Sequence, residues 1–243
     1  MTHGALEADS YHDPNVTTGM QACNDGMKFI AQTIGPDMFL NLSIAPLFPA
    51  QYANSRRVAC DTFGDIGNIE YALNSLSYGW WLSGVYDYND PDHMVLGGYT
   101  EAENRSRVTS AAITGLFIAG DDFSDPGDPA GKARAKEFLT NPQVNDLARL
   151  HKSFRPVEGN TGRAAATLFS WDSGPCFYLA AFNYTKTNAS FDVDLARAGL
   201  VLPSPTAFTE LWSGATNVVT HSLTVQLGPA DAAIYRIVNP VRH

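Results

Sequence analysis

Basic blocks are missing from this sequence, and so are long apolar runs. Sixteen Lys and Arg stand against 25 Asp and Glu, for a formal net charge of −9. Nucleic acid, which is held by clustered Lys and Arg, is therefore not an expected partner. No apolar stretch reaches the roughly 18 residues of a membrane span, so no membrane partner is expected either. Cysteine is scarce. Cys23, Cys60 and Cys176 form an odd set without Cys-x-x-Cys spacing, which argues against a disulfide framework or a zinc site. No G-x-S-x-G elbow, phosphate loop or dinucleotide fingerprint is present, and the six His residues include no H-x-x-x-H pair. "GDDFSDPGDP" is acidic but lacks the residue order of a calcium loop. No cofactor and no metal are expected.

The opening "MTHGALEADSYHDP" has neither the basic start nor the apolar stretch of a signal peptide. No strand or helix opens there. The expectation is a soluble chain that begins within a loop, as a fragment of a larger fold would.

What is present can build a core. Hydrophobic residues make up 44% of the 243 residues and charged residues only 17%, which excludes disorder as the default. Residues 13 to about 155 alternate helix and strand signals. Asp13-Pro14 offers an N-cap and first helical residue for a segment from Val16 to Ile34, which "GP" at 35 and 36 stops. "MFLNLSIAPLF" has the apolar character of a buried parallel strand. "RRVACD" and "GVYDY" predict strands, with the helix "DIGNIEYALNSLSYGWWL" between them. Thr100 and Glu103 form a capping box that opens a helix to about Ile113. "GLFIAGDD" predicts a further strand, and Asp128-Pro129 and Asn141-Pro142 two further helices.

This alternation predicts α/β architecture with parallel strands. Asp61, Asp90, Asp92, Asp121 and Asp122 fall at strand C-terminal ends, where the active sites of (β/α) barrels lie. About four strands can be counted. A closed barrel needs eight, so the rest would be missing or supplied by another chain.

"SFRPVEGNTG" predicts a linker. After it the period becomes two: Phe191, Val193 and Leu195 alternate with Asp192 and Asp194, and Leu223, Val225 and Leu227 with Thr224 and Gln226. The prediction is a half (β/α) barrel of about four strands over residues 1–155, followed by a small antiparallel β-sandwich over 156–243.

Two stretches carry chemistry. If residues 57 to 61 are extended, Arg57, Ala59 and Asp61 share one face. Four extended residues span roughly 13 Å, so Arg57 and Asp61 reach one ligand only if the chain curls. The alternative is an Arg–Asp pair that holds the sheet together. In "NDPDHMVLGG", Pro91 lacks an N–H and disfavours the α region for Asp90, so the acidic turn is stiff. It is either an ordinary turn or a rim that presents Asp90 and Asp92 to hydroxyl groups.

Taken together these stretches resemble the α-galactosidase/melibiase group of retaining glycoside hydrolases. "RRVACD" is similar to the family's Arg-x-x-x-Asp stretch at barrel strand six. "NDPDHMVLG" is similar to its N-D-P-D stretch after strand seven. "ELWSG" through "LTVQLGPADAAIYRIV" is similar to its C-terminal sandwich. The resemblance implies hydrolysis of terminal galactosides with Asp61 as general acid/base, and with Arg57, Asp90 and Asp92 binding the sugar. It also marks departures. The family nucleophile, in a Lys-x-Asp-like motif, would fall before Met1, and Ile44 stands about where family members place a sugar-binding Glu. Asp90, Asp92, Asp121 or a carboxylate of a partner chain would then serve as the second carboxylate, Asp121 being the candidate free of a sugar-binding role. A homo-oligomer would complete the barrel. The competing expectations are a non-catalytic sugar-binding module and a β-galactosidase on a half-barrel scaffold.

Overall fold

A computed structural model describes residues 8–43, 49–158 and 164–238. The chain is mixed α/β. Helix α1 spans Gly19–Ile34, strand β1 Asn41–Leu42, β2 Ser55–Arg57, α2 Ile66–Gly79, β3 Tyr88–Asp90 and α3 Glu101–Thr114. Helices α4, Pro129–Phe138, and α5, Pro142–Ala148, follow. The remainder is largely strand: β4 Arg155–Pro156, β5 Leu168–Asp172, β6 Cys176–Phe182 and β7 Ala189–Asp194, then a one-turn helix α6 at Leu195–Ala198. Strands β8 Thr206–Glu210, β9 Thr216–Val219, β10 Ser222–Leu227 and β11 Ala232–Val238 close it. No helix among the described residues is long and apolar enough to cross a membrane.

Local chemistry sets most helix ends. The Thr100 hydroxyl accepts from the Glu103 amide while the Glu103 carboxylate accepts from the Thr100 amide, the expected capping box. Gly115, at φ 119°, ends that helix in a conformation that a Cβ disfavours. Asp128 and Asn141 cap α4 and α5, each with Pro at the first turn. Asp13-Pro14 departs from expectation. Asp13 folds back on Asn15, its carboxylate 2.9 Å from the Asn15 amide, and α1 starts only after Thr18, whose hydroxyl is its cap.

Strands β1, β2 and β3 form a parallel sheet in that order. Several strand bounds differ from those the sequence suggests. β2 stops at Arg57 rather than running to Asp61. β3 begins at Tyr88, because a 3-10 turn over Trp80–Gly84 takes up the start of "GVYDY". "GLFIAGDD" contributes an isolated parallel bridge between Met94 and Ala119 in place of a strand. The segment read as a linker opens as β4, which spans the expected 155/156 boundary and pairs with β5. Ile44 lies outside the described residues.

The later strands form a six-stranded antiparallel sheet, β4-β5-β6-β11-β8-β9, and a separate antiparallel pair, β7 with β10. The six-stranded sheet has a core on each face. Phe169, Ala180, Phe182, Ala232 and Ile234 pack with α2, α3 and α5 residues such as Leu73, Val108 and Leu147. Leu179, Ala181, Ala233, Tyr235 and Ile237 pack against Val193, Leu223 and Val225 of the two-stranded pair. Alternate residues of β6 and β11 thus serve opposite cores, as period-two side chains must.

Phe154 is wholly buried between the helices and this sheet. Its amide donates to the Ile113 carbonyl at 2.8 Å, and its ring centroid lies 6.1 Å from that of Trp171. Phe154→Ala should destabilise the chain by about 3–5 kcal/mol through lost burial and a residual cavity. Urea unfolding followed by circular dichroism measures this as a lower midpoint at unchanged slope.

Candidate functional site

The parallel sheet carries polar side chains at its C-terminal end because two loops fold back there. The β2–β3 ladder ends with the Val58 amide donating to the Asp90 carbonyl at 2.9 Å. The chain then bends and returns Asp61 to Arg57. Arg57 Nη2 lies 2.9 Å from Asp61 Oδ1, and Arg57 Nη1 lies 2.9 Å from Asp92 Oδ1. One guanidinium therefore bridges two carboxylates of opposite exposure: the Asp61 side chain is 68% exposed and that of Asp92 only 7%. An extended 57–61 segment would have kept Arg57 and Asp61 apart, and the curl is what joins them.

Asp92 is the most heavily bonded of these groups. Its Oδ2 accepts from the Thr62 amide at 2.6 Å, and its Oδ1 contacts His93 Nδ1 at 3.0 Å as well as Arg57. Burial pushes this carboxyl up, but the Thr62 amide, His93 and Arg57 outweigh it and hold it down at about 2. Arg57 is disfavoured as a cation by burial, yet Asp92 and Asp61 outweigh that and raise it. Asp90 is 1% exposed. Its Oδ1 accepts from the Asp92 amide at 2.6 Å and its Oδ2 from Asn41 Nδ2 at 2.6 Å. Burial raises the Asp90 carboxyl despite those donors. Asn41 in turn accepts from the Ser55 hydroxyl, so β1, β2 and β3 are joined by side chains on one face.

The N-D-P-D turn has a brace that the sequence does not announce. Asp92 has φ 69°, a conformation costly for a residue with a Cβ. Arg107, fully buried on α3, donates from Nη2 to the carbonyls of Pro91, Asp92 and His93 at 2.9, 3.0 and 3.0 Å. Burial lowers Arg107 to about 10 against the pull of Asp92 and Asp90. Asn89 points away, into the protein, with Nδ2 2.8 Å from the Ser153 hydroxyl. The half-exposed His93 ring rests over Gly120, where a Cβ would lie 2.5 Å from the ring.

The structure thus brings Arg57, Asp61, Asp90 and Asp92 together. It does not bring Asp121 to them. Asp121 accepts from the Leu96 and Gly97 amides at 2.8 and 3.2 Å, and ties the loop after the N-D-P-D turn to the chain that follows Ala119. It makes no ion pair or hydrogen bond with the cluster among the described residues. Thr62, His93, Asn41 and Arg107 join the site without having been singled out in the sequence. Arg107 had one signal, a cation within an otherwise small and apolar helical stretch. Thr62, Asn41 and His93 had none.

No protein-family model matches this sequence, and no curated protein matches it. Solved structures do. Over 96% of this chain and 57% of that one, it is similar to a family GH27 β-L-arabinopyranosidase from Geobacillus stearothermophilus bound to arabinose, with TM-score 0.70 and 21% identity. It is also similar to α-galactosidase I from Mortierella vinacea, over 94% of this chain and 66% of that one, with TM-score 0.68 and 14% identity. The α-galactosidase of Saccharomyces cerevisiae gives TM-score 0.64 at 12% identity, over 94% and 70%. The fold is α-galactosidase/melibiase-like, and this chain spans little more than half the length of the Geobacillus enzyme.

The depressed Asp92 value fixes a sign for acid stability. A carboxyl whose folded value lies below its unfolded 3.8 stabilises the fold above pH 3.8, and that stability is lost as pH falls toward about 2. Asp90, raised by burial, acts oppositely and gains stability as pH falls through its folded value. Between pH 5 and pH 3 the Asp92 contribution should fall by about 1 kcal/mol. Urea unfolding at the two pH values should show Asp92→Asn losing less stability than wild type by about that amount.

Proposed function

We propose that this chain carries the acid/base side of a galactosidase-like glycoside hydrolase site. The observation that carries the reading is the Arg57 guanidinium shared between exposed Asp61 and buried Asp92. Glycoside hydrolysis needs a carboxylic acid that can reach the leaving oxygen. Asp61 is the carboxylate of the cluster open to solvent, and Arg57, anchored by Asp92, holds it at a fixed place. Asp61 delivers its proton to the glycosidic oxygen as the bond to the anomeric carbon breaks, then takes a proton from the attacking water. Arg57 borders the sugar pocket, and buried Asp90 and Asp92 brace it from behind. On this reading the parallel sheet is part of a (β/α) barrel, and the later sheets form a β-sandwich against it.

A second carboxylate must stabilise the developing positive charge, about 5–5.5 Å from the first for retention or about 6.5–9.5 Å for inversion. Asp90, Asp92 and Asp121 already accept N–H donors on both carboxylate oxygens. A carboxylate from a partner chain, a second copy that completes the barrel, is the better supplier. The same observation favours a second reading, in which the chain binds sugar without turning it over.

Hydrolysis of nitrophenyl α-D-galactopyranoside, β-L-arabinopyranoside and β-D-galactopyranoside separates these readings. Loss of the acid should cost about 100-fold or more in kcat. Asp61→Asn should therefore show that loss with unchanged folding, and a smaller loss on a dinitrophenyl glycoside, whose leaving group needs little protonation. An Asp61→Asn rate equal to wild type removes Asp61 from the mechanism. Galactose binding with no turnover of any substrate selects the binding module.

A further inference from the structure

A cleft opens at the other side of α3, beside the end of β8. Its volume is 510 Å³, and Arg105, Phe138, Trp212, Gln226, Asp231 and Tyr235 are among the residues that line it. None of the Arg57–Asp61 cluster does. The size lies within the range of small-molecule sites.

Most charge in this cleft is already matched. Arg105 Nη1 lies 2.8 Å from Asp231 Oδ1, and Arg105 Nη2 lies 2.8 Å from Glu101. Glu137 pairs with Arg134 at 3.0 Å. Glu210 accepts from the Trp212 amide at 3.1 Å and from the Ser213 amide and hydroxyl at 2.7 Å each. The Trp212 indole N–H is also satisfied, by the Thr109 hydroxyl at 2.9 Å. What the half-buried Trp212 offers is therefore its ring, which meets Phe138 edge-on at 5.6 Å.

One polar group stands apart. Tyr235 is 7% exposed, and its phenol hydroxyl has no hydrogen-bond partner among the described residues. Burial first, and then the Glu210 and Asp231 carboxylates, push this phenol up to about 12, so the hydroxyl keeps its proton and sits among the cleft's acids. Solvent reaches this hydroxyl at the cleft wall, so a ligand hydroxyl can take the place of water there.

We propose that this cleft is a second binding site, for a neutral pyranose. A cation finds its carboxylates engaged by Arg105, Arg134 and backbone amides. A pyranose supplies what the cleft lacks: hydroxyls that accept from Tyr235 and donate to spare carboxylate lone pairs, and an apolar ring face for Trp212. The site does not depend on hydrolysis at Asp61.

Titration of the protein with an equimolar D-galactose, D-glucose and D-xylose mixture, read on the Trp212 indole N–H resonance, tests this; Trp212→Phe assigns the signal. The signal should shift saturably with sugar. Tyr235→Phe deletes one oxygen and keeps the ring, so folding by circular dichroism should hold while the dissociation constant rises about fivefold, as one hydrogen bond is worth. No shift of Trp212 with any of the sugars, equal affinity in Tyr235→Phe, or a shift driven by choline in their place would each overturn the proposal.

Discussion

The Asp92 carboxylate is the fixed point of the site. It collects Arg57 from the end of β2, the Thr62 amide from the loop that follows, and its neighbour His93. Three donors on one buried carboxylate keep it ionised, and an ionised Asp92 is what holds the Arg57 guanidinium in place. Remove that charge and Arg57 loses its buried partner, leaving only exposed Asp61, whose attraction water screens. The position of Asp61 therefore depends on a carboxylate that does not itself face solvent.

The balance of charge follows the same logic. Two buried or nearly buried cations, Arg57 and Arg107, face two buried acids, Asp90 and Asp92. Buried charges persist only in company: Arg57 pairs with Asp92 and Asp61, and Arg107 donates to three backbone carbonyls within the field of Asp92 and Asp90. Asp61 is the third carboxylate, and it stands in solvent, which can hydrate it. The acid/base role proposed for Asp61 calls for that combination of a buried anchor and an open tip.

Much of the scaffold was legible because it rests on local chemistry. The capping box at Thr100 and Glu103, the Asp128-Pro129 and Asn141-Pro142 starts, and the alternation in β7 and β10 are all encoded within a few residues. The departures are places where distant parts of the chain decide. Nothing near "RRVACD" says that the strand stops at Arg57, whose guanidinium there meets Asp92, 35 residues away. Nothing near Arg107 says that it is a clamp, because its three acceptors lie 14 to 16 residues upstream. Asp90 and Asp92 were recognisable as a stiff acidic turn. Their burial was not, because it comes from what packs over them.

Helix α3 explains why an antiparallel sheet should accompany such a site at all. Arg107 reaches from this helix to the N-D-P-D turn. Arg105, Ser106 and Thr109 reach the other way, to Asp231, the Ala230 carbonyl and the Trp212 indole. The helix is clamped at three points to the turns that adjoin β11 and β8 of the six-stranded sheet while it clamps three successive carbonyls of the N-D-P-D turn. A turn with Asp92 at positive φ holds its shape only if its brace does not move. Behind the brace stands a sheet packed on both faces, which opposes displacement of α3. The later strands thus act on the Arg57–Asp61 cluster without touching it, through the rigidity that they lend to α3.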